Sequence, residues 1–233
     1  MQRFLFYTLV LLLLADCRQP GLASTPAGPA GGMASLRYLA LGDSYTIGQS
    51  VPDSARFPVQ TKKWLKEQSV PVQEPVIIAT TGWTTTNLSD AISAQNPPGS
   101  FDLVSLLIGV NDQYRYHDTS GYRERFTLLL ERSIAFANGR RNRVFVLSIP
   151  DYSVTPYGMG MDTAVIRREV DQFNAINRAV TLQYGCPYLD ITPSTREALN
   201  DPTLIAGDGL HPSGKEYAKW ALRLGPLMKA ALQ

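Results

Sequence analysis

Apolar positions along the chain fall into two alternating patterns. Short continuous runs bounded by turn-forming residues predict strands at Leu36–Leu41, at Val70–Thr80 centred on Val76-Ile77-Ile78-Ala79, at Phe101–Val110, at Val144–Pro150 and at Tyr188–Ile191. The intervening segments carry helical spacing instead. Phe57–Gln68 sets Val59, Trp64 and Leu65 among lysines, and Thr85–Ala94 reads as a short helix with a Thr or Asn cap. Gly121–Asn138 repeats Phe126, Leu129, Leu130, Ile134 and Ala137 along one face and closes on Asn138-Gly139. Thr163–Tyr184 presents Val165, Ile166, Val170, Phe173, Ile176 and Val180, and Glu216–Leu232 is a final helix. Strands alternating with helices predict right-handed βαβ units, hence an α/β protein of three layers, α/β/α, around a five-stranded parallel sheet. The run Phe101–Val110 is apolar throughout, which suits a central strand covered on both faces.

The polar breaks that end these runs carry the chemistry. Leu36–Leu41 stops at Gly42-Asp43-Ser44, Val70–Thr80 at Thr81-Gly82-Trp83, and Phe101–Val110 at Gly109-Val110-Asn111-Asp112. In an open parallel sheet the carboxyl ends of the strands share one edge, where helix N-termini favour developing negative charge. Ser44 either caps the following helix or is held there as a reactive hydroxyl. After the fifth strand comes Asp208-Gly209-Leu210-His211-Pro212-Ser213, with one of only two histidines in the chain. A serine hydroxyl needs a neighbouring base to act as a nucleophile, and a histidine base needs a carboxylate to hold its tautomer. Ser44, His211 and Asp208 supply that set, in the chain order Ser, Asp, His.

These blocks together resemble the SGNH, or GDSL-type, hydrolases. Gly42-Asp43-Ser44 is similar to that family's first block, Gly82 to its second, Gly109-Val110-Asn111-Asp112 to its third and Asp208-Gly209-Leu210-His211-Pro212 to its fifth, over roughly Leu36 to Gln233. The resemblance implies a flavodoxin-like fold and hydrolysis of O-acyl esters through an acyl-enzyme. It implies Ser44 as nucleophile, His211 as general base and acid, and Asp208 as its orienting carboxylate. The implied oxyanion hole comprises the backbone N–H groups of Ser44 and Gly82 and the side-chain amide of Asn111. No cofactor and no metal is implied. Two positions depart from the family pattern: Tyr45 follows the serine where leucine is usual, and Trp83 follows the second-block glycine, a place from which it would wall the acyl or leaving-group pocket. Asp112 is expected to be a structural partner of its loop.

Several further residues are candidates for the mouth of the site. His117 is expected there or as an exposed loop histidine. Tyr114, Tyr116 and Tyr122 would hold a sugar or acyl group or cover the sheet's end. Tyr152, Tyr157, Met159 and Met161 occupy a glycine-containing loop suited to a lid or specificity loop.

Composition narrows the setting. The chain of 233 residues is 44% hydrophobic and 18% charged with a net charge of +2, enough for one sizeable core and too nearly neutral to point to nucleic acid. Met1-Gln2-Arg3 followed by the apolar run Phe4–Ala15 predicts an export signal over residues 1–17, too short to span a bilayer comfortably. Leu14-Ala15-Asp16-Cys17 resembles a bacterial lipobox, with Asp16 where a small residue is usual, so a lipid anchor at Cys17 and ordinary cleavage near Ala23 or Ala34 are both expected outcomes. Residues 18–35 read as a flexible tether and 36–233 as the hydrolase domain, a monomer in the periplasm or cell envelope, acting on a small-molecule, glycan or lipid ester. A carbohydrate deacetylase or acyltransferase on the same triad, a lysophospholipase-like preference, and a catalytically silent binding module are the competing functions.

Overall fold

Five parallel strands lie in the order β2-β1-β3-β4-β5: β1 (Tyr38–Gly42), β2 (Val76–Ala79), β3 (Leu103–Leu107), β4 (Val144–Leu147) and β5 (Tyr188–Leu189). The structure, a computed structural model, describes residues 35–233. The export signal expected over 1–17, the anchor at Cys17 and the tether up to residue 34 lie outside the described residues. β1, β3 and β4 are buried along their whole length, as their uninterrupted apolar sequences require. Every fully buried Leu or Val on them contributes about 1.5–3 kcal/mol relative to an exposed one.

Among the described residues, eight α-helices accompany the sheet: α1 (Ser44–Ile47), α2 (Phe57–Glu67), α3 (Thr85–Gln95), α4 (Val110–Tyr116), α5 (Tyr122–Phe136), α6 (Thr163–Gln183), α7 (Thr192–Arg196) and α8 (Gly214–Ala231). α2 packs against α8, while α5 packs against both α3 and α6. The helix starts follow local chemistry. Thr84 and Asn87 form a reciprocal capping box before α3, Asp162 accepts from the Ala164 and Val165 N–H groups at α6, and Ser213 caps α8.

Three expectations needed adjustment. The second strand is only Val76–Ala79, with Val72 making an isolated bridge to Leu36, because Gln73, Glu74 and Pro75 between Val72 and Val76 interrupt pairing. The break after β3 is a helix, α4, too short for its periodicity to register in sequence. The residue that caps α1 is Asp43, whose carboxylate accepts from the Tyr45 N–H at 3.0 Å, so Ser44 is released from the capping role.

The strand order places the topological switch between β1 and β3, the crevice where sheets of this order bind ligands. Gly42 is level with both Ala79 and Leu107 in the ladder, so the segments leaving β1, β2 and β3 emerge side by side. Gly42 also allows close packing: a Cβ there would lie 2.1 Å from Thr46 Oγ1 and 2.4 Å from the Leu107 carbonyl oxygen.

Candidate active site

Above that edge is a cavity of about 130 Å³, lined by Ser44, Gly82, Asn111 and His211 with Tyr114 and Tyr157 at its opening. All the residues that the sequence pattern singled out for the catalytic set therefore meet there except Asp208, which stands behind His211. Ser44 is only 4% exposed and His211 6%.

Ser44 is the first residue of α1. The N–H groups of Thr46 and Ile47 both donate to the Asp43 carbonyl, which fixes the tight strand-to-helix turn. Asp43 is fully buried, and desolvation pushes its carboxyl up to about 8, partly offset by the Tyr45 N–H, with nearby Asp112 adding to the rise. Near neutral pH it is largely uncharged, so it caps α1 without placing a full negative charge beside Ser44.

His211 is set by a closed loop. Ile205 bridges Pro212, the Ala206 N–H donates to the His211 carbonyl at 2.7 Å and the Ser213 N–H to the Leu204 carbonyl at 2.8 Å. The Asp208 side chain curls back inside this loop: its Oδ1 accepts the Leu210 and His211 N–H groups, each at 3.0 Å, and its Oδ2 lies 2.7 Å from His211 Nδ1. Ser50 Oγ donates to the same Oδ2 at 2.6 Å. Burial alone would raise the Asp208 carboxyl, but these hydrogen bonds from Ser50, the His211 and Leu210 backbone and the His211 ring hold it well below the ordinary carboxylate range. A charged Asp208 on Nδ1 leaves Nε2 as the imidazole nitrogen free to take a proton. The Tyr45 ring packs against the imidazole, centroids 5.1 Å apart, which accounts for an aromatic residue directly after Ser44.

Three donor-bearing residues, Ser44, Gly82 and Asn111, line the cavity from the segments that follow β1, β2 and β3. Gly82 has φ +81°, a conformation a side chain would strain. Among the described residues, no protein acceptor engages its N–H or that of Ser44. Asn111, in the first turn of α4, donates one amide hydrogen to the Trp83 carbonyl at 3.1 Å, leaving the other for the cavity. Uncommitted donors at three points around a partly enclosed space can hydrogen-bond negative charge on a bound oxygen.

The structure also redistributes the mouth residues. Tyr114 and Tyr157 are 41% and 42% exposed, and their hydroxyls are hydrogen-bonded at 2.7 Å. Tyr152 lies deeper along the same wall, its phenol pushed up by burial and therefore neutral. Tyr122, by contrast, is a core residue, packed on Phe173 with centroids 4.4 Å apart and donating to Asn177 Oδ1 at 2.8 Å. Tyr116, Met159, Met161 and Trp83 do not line the cavity. Neither does His117, whose Nδ1 meets Glu169 Oε2 at 2.8 Å. Asp112 anchors the start of α3, accepting from the Thr85 N–H at 2.8 Å and the Thr85 hydroxyl at 2.6 Å, the structural role expected of it.

Some contributors carried no sequence signal. Ser50 joins Asp208 from 158 positions away, Gln49 accepts from Thr81 Oγ1 beside Gly82, and Arg115 donates to the Gly82 carbonyl at 2.8 Å. Each is an ordinary polar loop or helix-surface residue until the fold brings its partner near.

Residues 40–219 match the sequence profile of the GDSL-like lipase/acylhydrolase family, and the chain belongs to that family. It is 26% identical over 129 residues to an acetylxylan esterase of Geobacillus stearothermophilus, covering 52% of this chain and 55% of that protein, so the match spans about half the length of this curated relative. Solved structures share the fold. A lipase/acylhydrolase from Enterococcus faecalis superimposes with a TM-score of 0.63 at 17% identity, over 84% of this chain and 96% of the other. Axe2, an acetylxylan esterase from Geobacillus stearothermophilus, superimposes with a TM-score of 0.60 at 19% identity, over 84% and 93%.

Proposed function

We propose that the protein is a serine esterase that removes short acyl groups, acetyl foremost, from a carbohydrate or similar polyhydroxylated alcohol. The observation that carries this reading is the meeting of Ser44 and a carboxylate-paired His211 in one small cavity with three uncommitted donors.

In the proposed reaction His211 Nε2 accepts the Ser44 Oγ proton as Oγ attacks the ester carbonyl carbon. The negative charge forming on the carbonyl oxygen is met by the Ser44 and Gly82 N–H groups and the free Asn111 amide hydrogen. Collapse of the tetrahedral adduct breaks the bond to the alcohol oxygen, which takes the proton from His211. Water, deprotonated by the same nitrogen, then attacks the acyl-Ser44 carbonyl carbon; collapse of this second adduct breaks the bond to Ser44 Oγ, which takes the proton back from His211 as the acid leaves. Asp208 stays ionised throughout and stabilises the imidazolium.

The short-acyl preference rests on size. The cavity of about 130 Å³ is below the roughly 300–1,000 Å³ of a pocket that encloses a drug-sized ligand. The carbohydrate preference rests on the exposed Tyr114 and Tyr157, which offer flat apolar faces and hydroxyls to a sugar, and on the acetylxylan esterase among the relatives. The apolar run Phe4–Ala15 supports an extracytoplasmic setting.

The test is hydrolysis of p-nitrophenyl esters from acetate to palmitate, with an O-acetylated xylooligosaccharide alongside and labelling by a fluorophosphonate probe. Activity confined to the shorter esters and the oligosaccharide, with labelling lost in Ser44→Ala, is the expected result. No turnover and no labelling of the folded protein would overturn the reading in favour of a binding module.

A further inference from the structure

We propose that Ser50 is a positioning residue that sets the basicity of His211 by sharing the Asp208 oxygen on which the imidazole rests. The proposal builds on the reading of Ser44, His211 and Asp208 as a catalytic set.

The geometry is specific. Asp208 Oδ2 accepts both His211 Nδ1 at 2.7 Å and Ser50 Oγ at 2.6 Å, while Oδ1 is occupied by two backbone N–H groups. Four donors thus surround one carboxylate, and only one of them, Ser50, can be removed without touching the loop backbone or the histidine. Ser50 itself sits at φ +65°, a left-handed conformation uncommon for serine and costly when it has no compensation. The tie to Asp208 is a compensation of the right kind. The preceding Gln49 reaches the opposite way, to Thr81 beside Gly82, so this short segment after α1 touches both the His211 loop and the Gly82 loop.

The direction of the effect follows from charge. A hydrogen bond from Ser50 draws electron density from Oδ2 and weakens its hold on a protonated imidazole. Without it, more of the carboxylate charge falls on the His211 side, the imidazolium is stabilised, and His211 becomes the free base only at higher pH. The other groups facing the ring stay unchanged by the substitution. They are the Tyr45 ring, and, across a small cavity of about 20 Å³, Tyr152, Asp151 and Glu216. Asp151 is paired with Arg196 at 2.7 Å and with Arg167 at 3.6 Å, Glu216 with Lys219 at 3.2 Å. Beyond Tyr45 are Tyr217 and Asp43, also untouched.

The experiment compares Ser50→Ala, Ser50→Gly and Ser50→Asn with the unsubstituted protein. It follows the imidazole titration of His211 by NMR and the acid limb of kcat/KM. His117, the chain's other histidine, serves as the internal reference, assigned with His117→Gln. The expected result is an upward displacement of the His211 titration and of the acid limb by about 0.5–1 pH unit in both Ser50→Ala and Ser50→Gly, with His117 unmoved. Ser50→Gly separates this from a structural role, since glycine relieves the positive φ yet still lacks the hydroxyl. Ser50→Asn, whose amide can donate and whose backbone tolerates φ +65°, is expected to recover part of the displacement. A His211 titration identical to the unsubstituted protein in folded Ser50→Ala and Ser50→Gly overturns the proposal, whatever happens to the rate. If the unsubstituted protein turns over no ester, the catalytic reading fails separately, and the NMR titration still decides the role of Ser50.

Discussion

The side-chain amide of Asn111 donates to the Trp83 carbonyl across 3.1 Å, linking the segment after β3 to the segment after β2. One contact does two things. It fixes the Asn111 rotamer, so the second amide hydrogen is aimed rather than averaged, and it braces the turn that carries Gly82. Truncation to Asn111→Ala removes the donor and the brace together. The expected loss is about 10²–10³-fold in kcat with the melting temperature little changed, since losing one oxyanion donor costs this much in other enzymes. Steady-state kinetics beside a thermal melt check it, and near-normal turnover would exclude Asn111 from the oxyanion site.

The Tyr114–Tyr157 hydroxyl contact spans the opening of the cavity, joining α4 to the loop after β4. If these rings receive the alcohol portion of the ester, Tyr157→Ala raises KM for an O-acetylated xylooligosaccharide by about tenfold, the equivalent of about 1.4 kcal/mol, and raises KM for p-nitrophenyl acetate far less. Equal effects on the two substrates would place the tyrosines on the acyl side instead.

Asp43 predicts a pH dependence of stability with a definite sign. Desolvation lifts its carboxyl from 3.8 to about 8 in the folded state. Between those values the folded protein holds a proton that the unfolded chain has released, so raising the pH across this window favours unfolding. Asp43→Asn keeps an oxygen for the Tyr45 N–H and cannot ionise. Its urea midpoint, measured from pH 4 to pH 8, is expected to fall less steeply than that of the unsubstituted protein. Parallel curves would show that Asp43 ionises normally. Asp208 acts in the opposite sense: held below its ordinary range, it contributes stability above the unfolded carboxylate value that is lost only as acid protonates it in the fold.

The amino-acid sequence by itself determined the alternation of strands and helices. It also pointed to the edge at which the candidate residues would gather, because the first three apolar runs end on glycine and polar residues that cannot continue a strand. Ser44, Gly82 and Asn111 lie two, three and four residues beyond β1, β2 and β3. A parallel sheet in register must bring such residues to one level. The Asp208 to His211 pairing was equally local, being three positions apart in one turn. Tertiary structure alone decided what lies beyond that reach. It sent Tyr122 into the core and Tyr114 to the mouth, although both are tyrosines near the same break, because only the face of α4 and α5 on which each lies separates them. It gave α1's cap to Asp43, at the cost of burying a carboxyl. It brought Ser50 to Asp208 across 158 positions. Local periodicity and turn chemistry act over a few residues and are written in sequence; the ionisation of a buried carboxyl and the partner of a loop hydroxyl depend on which distant segment packs against them, and that is settled only when the sheet has closed its layers.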